Sequence, residues 1–184
     1  MKQLIFSSFL VVIFMTGCAT DGKNEGDAVS EEGRLSIETV SKEGITNTAI
    51  INANADDVWS ILRELDNIDQ FSSSVAKVEW TGEKGVGGQR VCTTPDGKST
   101  FTENITAFND QNRTYSYAVV EGVPAKGLVN TFKVVNLGFR KSAIVWSSKY
   151  DSFIENPDMD QDQFINFVDS SSKEMIANLA KSVQ

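Results

Sequence analysis

The C-terminal stretch Asp160–Gln184 reads DQDQFINFVDSSSKEMIANLAKSVQ. Its apolar side chains recur at the three- and four-residue spacing of one face of an α-helix. Carboxylates stabilise the first turn of a helix, so the acidic residues Asp158, Asp160 and Asp162 predict that the helix begins there. The spacing therefore predicts a long C-terminal helix with one apolar face. The residues on that face are Phe164, Phe167, Val168, Met175, Ile176, Leu179 and Val183.

The middle of the predicted helix carries consecutive serines, Ser170, Ser171 and Ser172, where a close-packed face would carry Leu or Ile. A helix that is apolar at both ends and small in the middle could lie over a cavity. A serine-rich turn of the helix that faces solvent would leave the same pattern. The spacing alone leaves both interpretations open.

The composition is that of one globular domain. A chain of 184 residues is long enough for one domain, and 40% hydrophobic with 23% charged residues is an ordinary globular mix. A formal net charge of −8 and a pI near 4.6 argue against nucleic acid or an anionic membrane surface as the main partner. The sequence has no histidine, which excludes Ser-His and Cys-His catalytic pairs and His-ligated zinc. We therefore expect no metal and no cofactor.

Residues 1–17 have the pattern of an export signal, because Lys2 precedes the apolar stretch Leu4–Phe14, which is too short to span a membrane. The sequence MTGC at residues 15–18 resembles a bacterial lipobox, in which the cysteine is diacylated and becomes the mature N-terminus. Met15 stands where leucine is usual in a lipobox. The alternative is a secreted protein that is cleaved nearby and carries no lipid.

The lipobox resemblance implies a lipoprotein of the bacterial cell envelope, anchored to a membrane through Cys18 and facing the periplasm. Ala19 rather than aspartate follows the cysteine, which resembles an outer-membrane sorting signal of Gram-negative bacteria. Residues 18–34 are almost all polar or small, so we expect the lipidated cysteine to be followed by a flexible tether. The folded domain is expected to occupy residues 35–184.

The order of predicted elements indicates the fold class. A first strand, Ile45–Ile51, precedes Asn54, a favoured N-cap residue, then a short helix and a second helical turn near Asp66–Phe71. Six strands separated by turn residues follow, and consecutive short strands pair antiparallel. The prediction is an α+β fold, in which a curved antiparallel sheet of about seven strands wraps around the long C-terminal helix. The six strands are Val75–Trp80, Gln89–Thr94, Ser99–Phe108, Thr114–Glu121, Leu128–Leu137 and Ser142–Tyr150.

Several short motifs carry a resemblance to a known superfamily. INANADDVW at Ile51–Trp59 resembles that superfamily's entry into its first helix, and GVGGQR at Gly85–Arg90 resembles its glycine-rich hairpin. Glu103, and Trp146 with Tyr150 in the last strand, complete the set. By the order and spacing of these motifs, residues 45–184 resemble the START-like (SRPBCC) superfamily of polyketide cyclase-like proteins, Bet v 1-like pollen allergens and abscisic-acid receptors. The resemblance implies a helix-grip fold but no single activity, because the fold hosts carriers, receptors and enzymes.

Strand alternation, with Lys133 and Lys149 taken to point outward, predicts which side chains face the helix. The inward set is aromatic and aliphatic with a few polar groups, which suits a pocket for a mostly apolar ligand. The alternative is a solid core in which the tyrosines reach backbone partners and Glu103 pairs with Arg90. The predicted ligand-binding residues are Arg90, Phe101, Glu103, Tyr115, Tyr117, Val119, Phe132, Trp146, Ser148, Phe164, Val168 and Ser172.

Part of that set follows from the resemblance to abscisic-acid receptors. Their ligand contacts fall on Glu103, Tyr117 and Val119 and, in the C-terminal helix, on Phe164, Val168 and Ser172. The lysine that meets the ligand carboxylate in the receptors is replaced by Ser72. The two receptor gate loops correspond to 93–97 and 123–127, whose sequences differ from the receptor pattern. Abscisic acid is therefore not the inferred ligand, although the two loops are expected at the mouth of the pocket.

Glu103 is the best candidate for acid–base chemistry, because burial would raise its pKa. A structural ion pair with Arg90 is the favoured alternative. Cys92 is expected to be a lone buried thiol, since the lipobox resemblance assigns Cys18 to a lipid. The aspartates before the C-terminal helix imitate a calcium loop but lack its glycine and its final glutamate, so helix capping is favoured.

Three functions remain in view. The favoured one is a membrane-anchored module that binds a hydrophobic or amphipathic small molecule, lipid-like, quinone-like or aromatic. The second is a cyclase-like or aromatase-like enzyme that uses Glu103, Tyr115 or Tyr117 for proton transfer; export argues against it, because such substrates ride on cytoplasmic carriers. The third, implied by secreted members of the superfamily, is a protein-interaction module of a periplasmic dehydrogenase system.

Overall fold

The computed structural model describes residues 35–41, as backbone, and residues 44–183 with their side chains. The predicted export signal, Cys18 and the tether lie outside the described residues, so the predictions about them remain predictions. Within the described ranges no helix combines the length and the apolar character needed to cross a membrane.

The structure confirms the α+β helix-grip-like fold. Its elements follow the predicted order, and most strand boundaries agree within one or two residues. The second predicted helix is a single 3₁₀ turn, Ile68–Gln70. The elements are β1 Leu35–Ser41, β2 Gly44–Ile51, α1 Ala55–Leu62, β3 Lys77–Thr81, β4 Gln89–Thr93, β5 Thr100–Asn109, β6 Thr114–Glu121, β7 Ala125–Lys126, β8 Leu128–Gly138, β9 Lys141–Lys149, β10 Ser152–Phe153 and α2 Gln161–Ser182.

The main sheet is antiparallel, with the strand order β1-β2-β9-β8-β6-β5-β4-β3. Sequence analysis did not predict β1, which pairs with β2 and adds an edge strand. The short strands β7 and β10 form a separate pair beside the main sheet. Register shifts in β5 between Thr102 and Glu103 and between Ile105 and Ala107 interrupt its ladder with β6. Such bulges bend a strand, which helps the sheet to curve around α2.

The start of α2 is held by its own side chains. Asp160 is the N-cap and accepts a hydrogen bond from the backbone N–H of Gln163 at 2.8 Å, while the Gln163 side chain accepts from the backbone N–H of Asp160 at 2.8 Å. This reciprocal pair is a capping box, which satisfies two N–H groups that have no partner inside the helix. The acidic run therefore caps the helix, as the sequence favoured.

The buried face of α2 differs from the predicted one at Phe167, which is exposed, and at Ile165, which is buried. Phe167 lies at the edge of the apolar stripe, so the same spacing that predicted it inward leaves much of its ring in solvent. Ser172 in mid-helix is fully buried and accepts a hydrogen bond from Asn47 Nδ2 on β2 at 2.7 Å. The same Asn47 nitrogen lies 2.9 Å from Asp169 Oδ1, so one amide ties the helix to the sheet.

The hairpin between β8 and β9 has an unusual sequence for its geometry. Gly138 pairs with Lys141, which leaves Phe139 and Arg140 as a two-residue loop, and their φ angles are 51° and 57°. Positive φ at both positions defines a type I′ turn, which strongly favours Asn-Gly. A left-handed backbone costs an L-residue about 1–2 kcal/mol, so this hairpin is strained.

Replacing the loop by Asn-Gly, with Phe139→Asn and Arg140→Gly, should raise the free energy of unfolding by about 1–2 kcal/mol. Thermal and denaturant unfolding of the variant and the parent would measure the gain. Leu137→Asn is the control, because it also replaces an exposed apolar side chain but lies outside the left-handed pair. A loop replacement that left stability unchanged or lowered it would contradict the strain.

Candidate functional site

A cavity of about 410 Å³ lies between the main sheet and α2. Its volume falls in the range of pockets that hold small molecules. Five residues of α2 form one wall at helical spacing: Phe164, Val168, Ser171 and Met175, with the partly exposed Phe167 at the edge. Ser171 thus faces the cavity, while Ser170 is exposed, so the serine run serves both a cavity and a solvent face.

The opposite wall is the inner face of the sheet, and two loops complete the site. Thr94, Pro95 and Ser99 come from the loop between β4 and β5, and Val123 and Pro124 come from the loop before β7. These are the two segments that the sequence placed at the mouth of a pocket. Several of their residues are exposed, which places the mouth at this end of the sheet. The sheet contributes Phe101, Glu103, Tyr117, Val119, Leu128, Asn130 and Trp146.

The predicted ligand-binding residues divide into two groups. Those that line the cavity are Phe101, Glu103, Tyr117, Val119, Trp146, Phe164 and Val168. Those that do not are Arg90, Tyr115, Phe132, Ser148 and Ser172, all of them buried beside it. Alternation identifies the face of a strand but not the position along it, so the four strand residues of this group lie on the buried face without lining the cavity. Ser172 on α2 instead contacts β2, where it accepts from Asn47. Contact of any of them with a ligand remains a prediction.

The surroundings of Tyr115 show why residues of the second group do not line the cavity. Its ring lies 5.6 Å from Phe132 and 6.4 Å from Trp59, centroid to centroid, and Phe132 meets Phe71 edge-on at 6.4 Å. Trp59 is fixed in turn by a 2.6 Å hydrogen bond from its Nε1 to Asp110 Oδ1. The half of the sheet near α1 is therefore a solid aromatic core, and the cavity begins beyond it.

Sequence analysis missed other lining residues. Ile68, Ser72 and Val75 reach the cavity from the segment between α1 and β3, and Met159 reaches it from the residues before α2. Ile68 lies in the single 3₁₀ turn, and Val75, which was predicted to begin a strand, lies before β3 begins at Lys77. Ser72 and Met159 lie outside the helices and strands, so no period assigns them a direction. Ser72 is the residue that replaces the ligand-binding lysine of the abscisic-acid receptors. It lines the cavity, as the resemblance to those receptors implies.

The buried ion pair Arg90–Glu103 lies at the inner end of the cavity. Arg90 Nε donates to Glu103 Oε2, and the two residues face each other across the β4–β5 ladder. Arg90 Nη1 donates to the backbone carbonyl of Leu65 at 2.6 Å, and the guanidinium carbon lies 4.6 Å from the centre of the Tyr117 ring. Glu103 is thus engaged by a neighbouring cation, as the structural alternative predicted.

Burial and the ion pair act in opposite directions on these groups. Burial raises the pKa of Glu103, and the positive charge of Arg90 opposes that rise. Burial alone would lower the pKa of Arg90, but Glu103 together with Tyr115, Tyr117 and Cys92 more than offsets that effect, so the pKa of Arg90 is raised and the arginine stays charged. Burial raises the pKa of Tyr117 well above its ordinary value. The tyrosine hydroxyl therefore acts as a neutral hydrogen-bonding group.

Asn130 supplies an unpaired polar atom at the cavity. It is 6% exposed, and its Oδ1 is buried without a hydrogen-bond partner in the part of the chain that the structure describes. It stands between Tyr117 on β6 and Ser148 on β9 in the strand register. A buried polar atom without a partner costs about 1–3 kcal/mol. The oxygen has almost no accessible surface, so a ligand donor reaches it only if the Asn130 amide rotates toward the cavity. The described ranges contain no cluster of three or more acidic or cysteine side chains suited to hold a metal.

The comparisons with known proteins agree with this architecture. Residues 42–184 match the family described as polyketide cyclase / dehydrase and lipid transport, and the chain belongs to that family. No curated protein matches the sequence.

Solved structures with the same fold are similar at low identity. XoxI from Bacillus cereus is 19% identical with a TM-score of 0.67, over 77% of this chain and 95% of that one. An uncharacterised protein from Bacillus thuringiensis is also 19% identical, with a TM-score of 0.66 over 76% of this chain and 98% of that one. Norcoclaurine synthase from Thalictrum flavum, solved with dopamine and hydroxybenzaldehyde, is 20% identical with a TM-score of 0.59, over 80% of this chain and 87% of that one.

Cys92 tests whether the interior offers a reactive nucleophile. Burial, with a further contribution from Glu103, raises the pKa of its thiol to about 12. Since only the thiolate reacts, iodoacetamide near pH 8 should modify Cys92 in the folded protein about a thousand-fold more slowly than in the guanidinium-unfolded chain. Peptide mapping by mass spectrometry separates Cys92 from Cys18. Modification of the native protein at the unfolded rate would contradict this burial.

Proposed function

We propose that this member of the family is a carrier that binds one mostly apolar small molecule in the cavity between the sheet and α2. The observation that carries the proposal is a cavity of about 410 Å³ whose wall is mostly aromatic and aliphatic. A few polar side chains interrupt that wall, among them Glu103, Tyr117, Asn130 and Ser171. The arrangement suits a mostly apolar ligand with one or two polar groups.

The chemical class follows from the wall. Phe101, Trp146 and Phe164 offer ring surfaces, and Val119 and Met175 offer aliphatic surface that favours burial of hydrocarbon. Lipid-like, quinone-like and small aromatic molecules all satisfy these contacts. That a protein of the same fold was solved with two small aromatic molecules supports the same class here, as analogy only.

The proposal places the carrier in the cell envelope. The lipobox resemblance at residues 15–18 supports diacylation of Cys18, and an acylated mature N-terminus would hold the domain at a membrane on the periplasmic side. A mass of the mature chain that includes the acyl groups on Cys18 is the expected finding. Purified protein that begins elsewhere and carries no lipid would overturn this part alone.

Val119 and Val120 provide a matched pair for testing the cavity. Val119 is buried against the cavity, whereas Val120, the next residue on β6, is 50% exposed. Val119→Trp should fill the cavity and weaken binding at least about ten-fold, equivalent to about 1.4 kcal/mol. Val120→Trp adds the same side chain outside and should leave binding unchanged.

The measurement is native mass spectrometry with organic extraction of the full chain, exported and processed in a bacterial host, followed by titration with the extracted molecule. A bound mass that persists in Val120→Trp and is lost in Val119→Trp supports the carrier. If the purified protein carries no bound molecule and also binds nothing from a panel of lipids and quinones, the carrier proposal is contradicted and the protein-interaction function is favoured.

Asn130→Leu should separate ligand binding from stability. The substitution removes a buried oxygen without a partner, so the free energy of unfolding should stay the same or rise. The ligand loses a hydrogen-bonding partner, so its affinity should fall by about 1–3 kcal/mol, roughly five-fold to 150-fold. Unfolding curves and ligand titrations of the same variant give both quantities. Unchanged affinity would show that Asn130 does not contact the ligand.

A further inference from the structure

The tip of the β8–β9 hairpin exposes apolar side chains. Phe139 is 100% exposed and Leu137 is 46% exposed. Exposed aliphatic residues are common on protein surfaces, but a fully exposed phenylalanine at the tip of a hairpin is not explained by folding. The ring contributes nothing to the core of this domain.

The same phenylalanine occupies a position that disfavours it. Phe139 and Arg140 are the two left-handed residues of the type I′ turn, where Asn-Gly would be the least strained choice. The hairpin therefore keeps a sequence that strains the backbone and exposes a ring. Departures from local stability of this kind tend to occur at functional positions.

Cations flank the exposed ring. Arg140 and Lys141 are exposed, and neither forms an ion pair with another described residue. Two acidic side chains of the same end are engaged, since Asp56 pairs with Arg113 and Asp110 with Arg63, whereas Asp57 has no ion pair with a described residue. The hairpin tip itself is thus locally cationic in a chain with a net charge of −8. An aromatic tip between cations matches a phospholipid interface, where acyl chains lie below phosphate groups.

The path of the chain leads to the same end of the sheet. Leu35, the first described residue, pairs with Ile50. Ile50 in turn pairs with Ala143, which lies two residues after Lys141, the first residue of β9. The segment 19–34 connects Leu35 to the cysteine that we propose is acylated. If residues 19–34 form the flexible tether that their composition predicts, they span about 20 Å, and a lipid on Cys18 would then keep this end close to the bilayer.

We propose that the hairpin tip, Leu137–Lys141, docks onto the phospholipid surface to which the chain is anchored. Phe139 and Leu137 enter the interface, and Arg140 and Lys141 meet lipid phosphates. The cavity then opens away from the bilayer, because Leu128 at its mouth end lies about 33 Å along β8 from Gly138. The ligand would be exchanged from the aqueous side. The contact is local, and the remaining acidic surface faces water. The proposal rests on the anchor but not on an occupied cavity.

Tryptophan at the two ends of the sheet tests the docking. The full chain, processed in a bacterial host and reconstituted into phosphatidylcholine–phosphatidylglycerol vesicles, is compared with its Phe139→Trp and Val120→Trp variants. Vesicles with brominated acyl chains should quench the added fluorescence of Phe139→Trp about two-fold or more and should not quench that of Val120→Trp. Subtracting the unsubstituted protein removes the native tryptophans. The Val120 site is an exposed apolar position near the mouth of the cavity.

Charge variants complete the test. Arg140→Gln with Lys141→Gln, added to Phe139→Trp, should reduce the quenching, with the larger reduction at low salt. Absence of quenching in Phe139→Trp, or equal quenching in Val120→Trp, overturns the proposal. If the acylated chain floats with the vesicles but its added tryptophan is not quenched, the docking is contradicted and the anchor is not. If the chain carries no acyl groups and does not float with the vesicles, both the docking and the anchor are contradicted.

Discussion

The Arg90–Glu103 ion pair is the interaction on which the interior of this domain depends. Arg90 on β4 reaches Glu103 on β5, the backbone carbonyl of Leu65 after α1, and the ring of Tyr117 on β6. Leu65, three residues after the end of α1, has a φ of 66°, which is a strained left-handed conformation. Its backbone carbonyl accepts from Arg90. Removing charges from water is expensive, so such a pair need not add net stability, but neither partner can be lost alone. It therefore fixes how the helix segment, β4, β5 and β6 meet.

One face of the sheet holds both a solid core and a cavity. Towards α1, the rings of Trp59, Tyr115 and Phe132 fill the space between the sheet and the helices. Towards the loops, Ser171 of α2 and Val119 of β6 are small, and nothing replaces the missing volume. Close packing elsewhere keeps the cavity from collapsing, because the surrounding elements are already fixed. The void is thus a consequence of residue size at defined positions.

Periodicity made the fold predictable, and it explains what was missed. The alternation of charged and apolar residues in the strands and the helical spacing after Asp160 are local signals, and both were read correctly except at Phe167 and Ile165. β1 was not predicted, because its sequence LSIETVS holds only three apolar residues and they do not alternate throughout. The depth of a side chain along a strand depends on what packs from other elements, so Tyr117 could not be told from Tyr115. The unpaired state of Asn130 is likewise a property of its neighbours, which no local sequence signal contains.

The titratable side chains that line the cavity favour binding over catalysis. They are Glu103 and Tyr117, and both belong to the Arg90 network. The Glu103 carboxylate accepts from Arg90, so an atom that a general base would offer to a substrate is already occupied. The pKa of Tyr117 is raised far above the range in which it could exchange a proton near neutrality. With no histidine in the sequence to take over that role, the polar groups of the cavity can orient a ligand by hydrogen bonds. A Glu103 carboxylate engaged by Arg90 and a neutral Tyr117 hydroxyl suit hydrogen bonding to a ligand better than proton transfer, so the enzyme hypothesis is the weaker one for this chain.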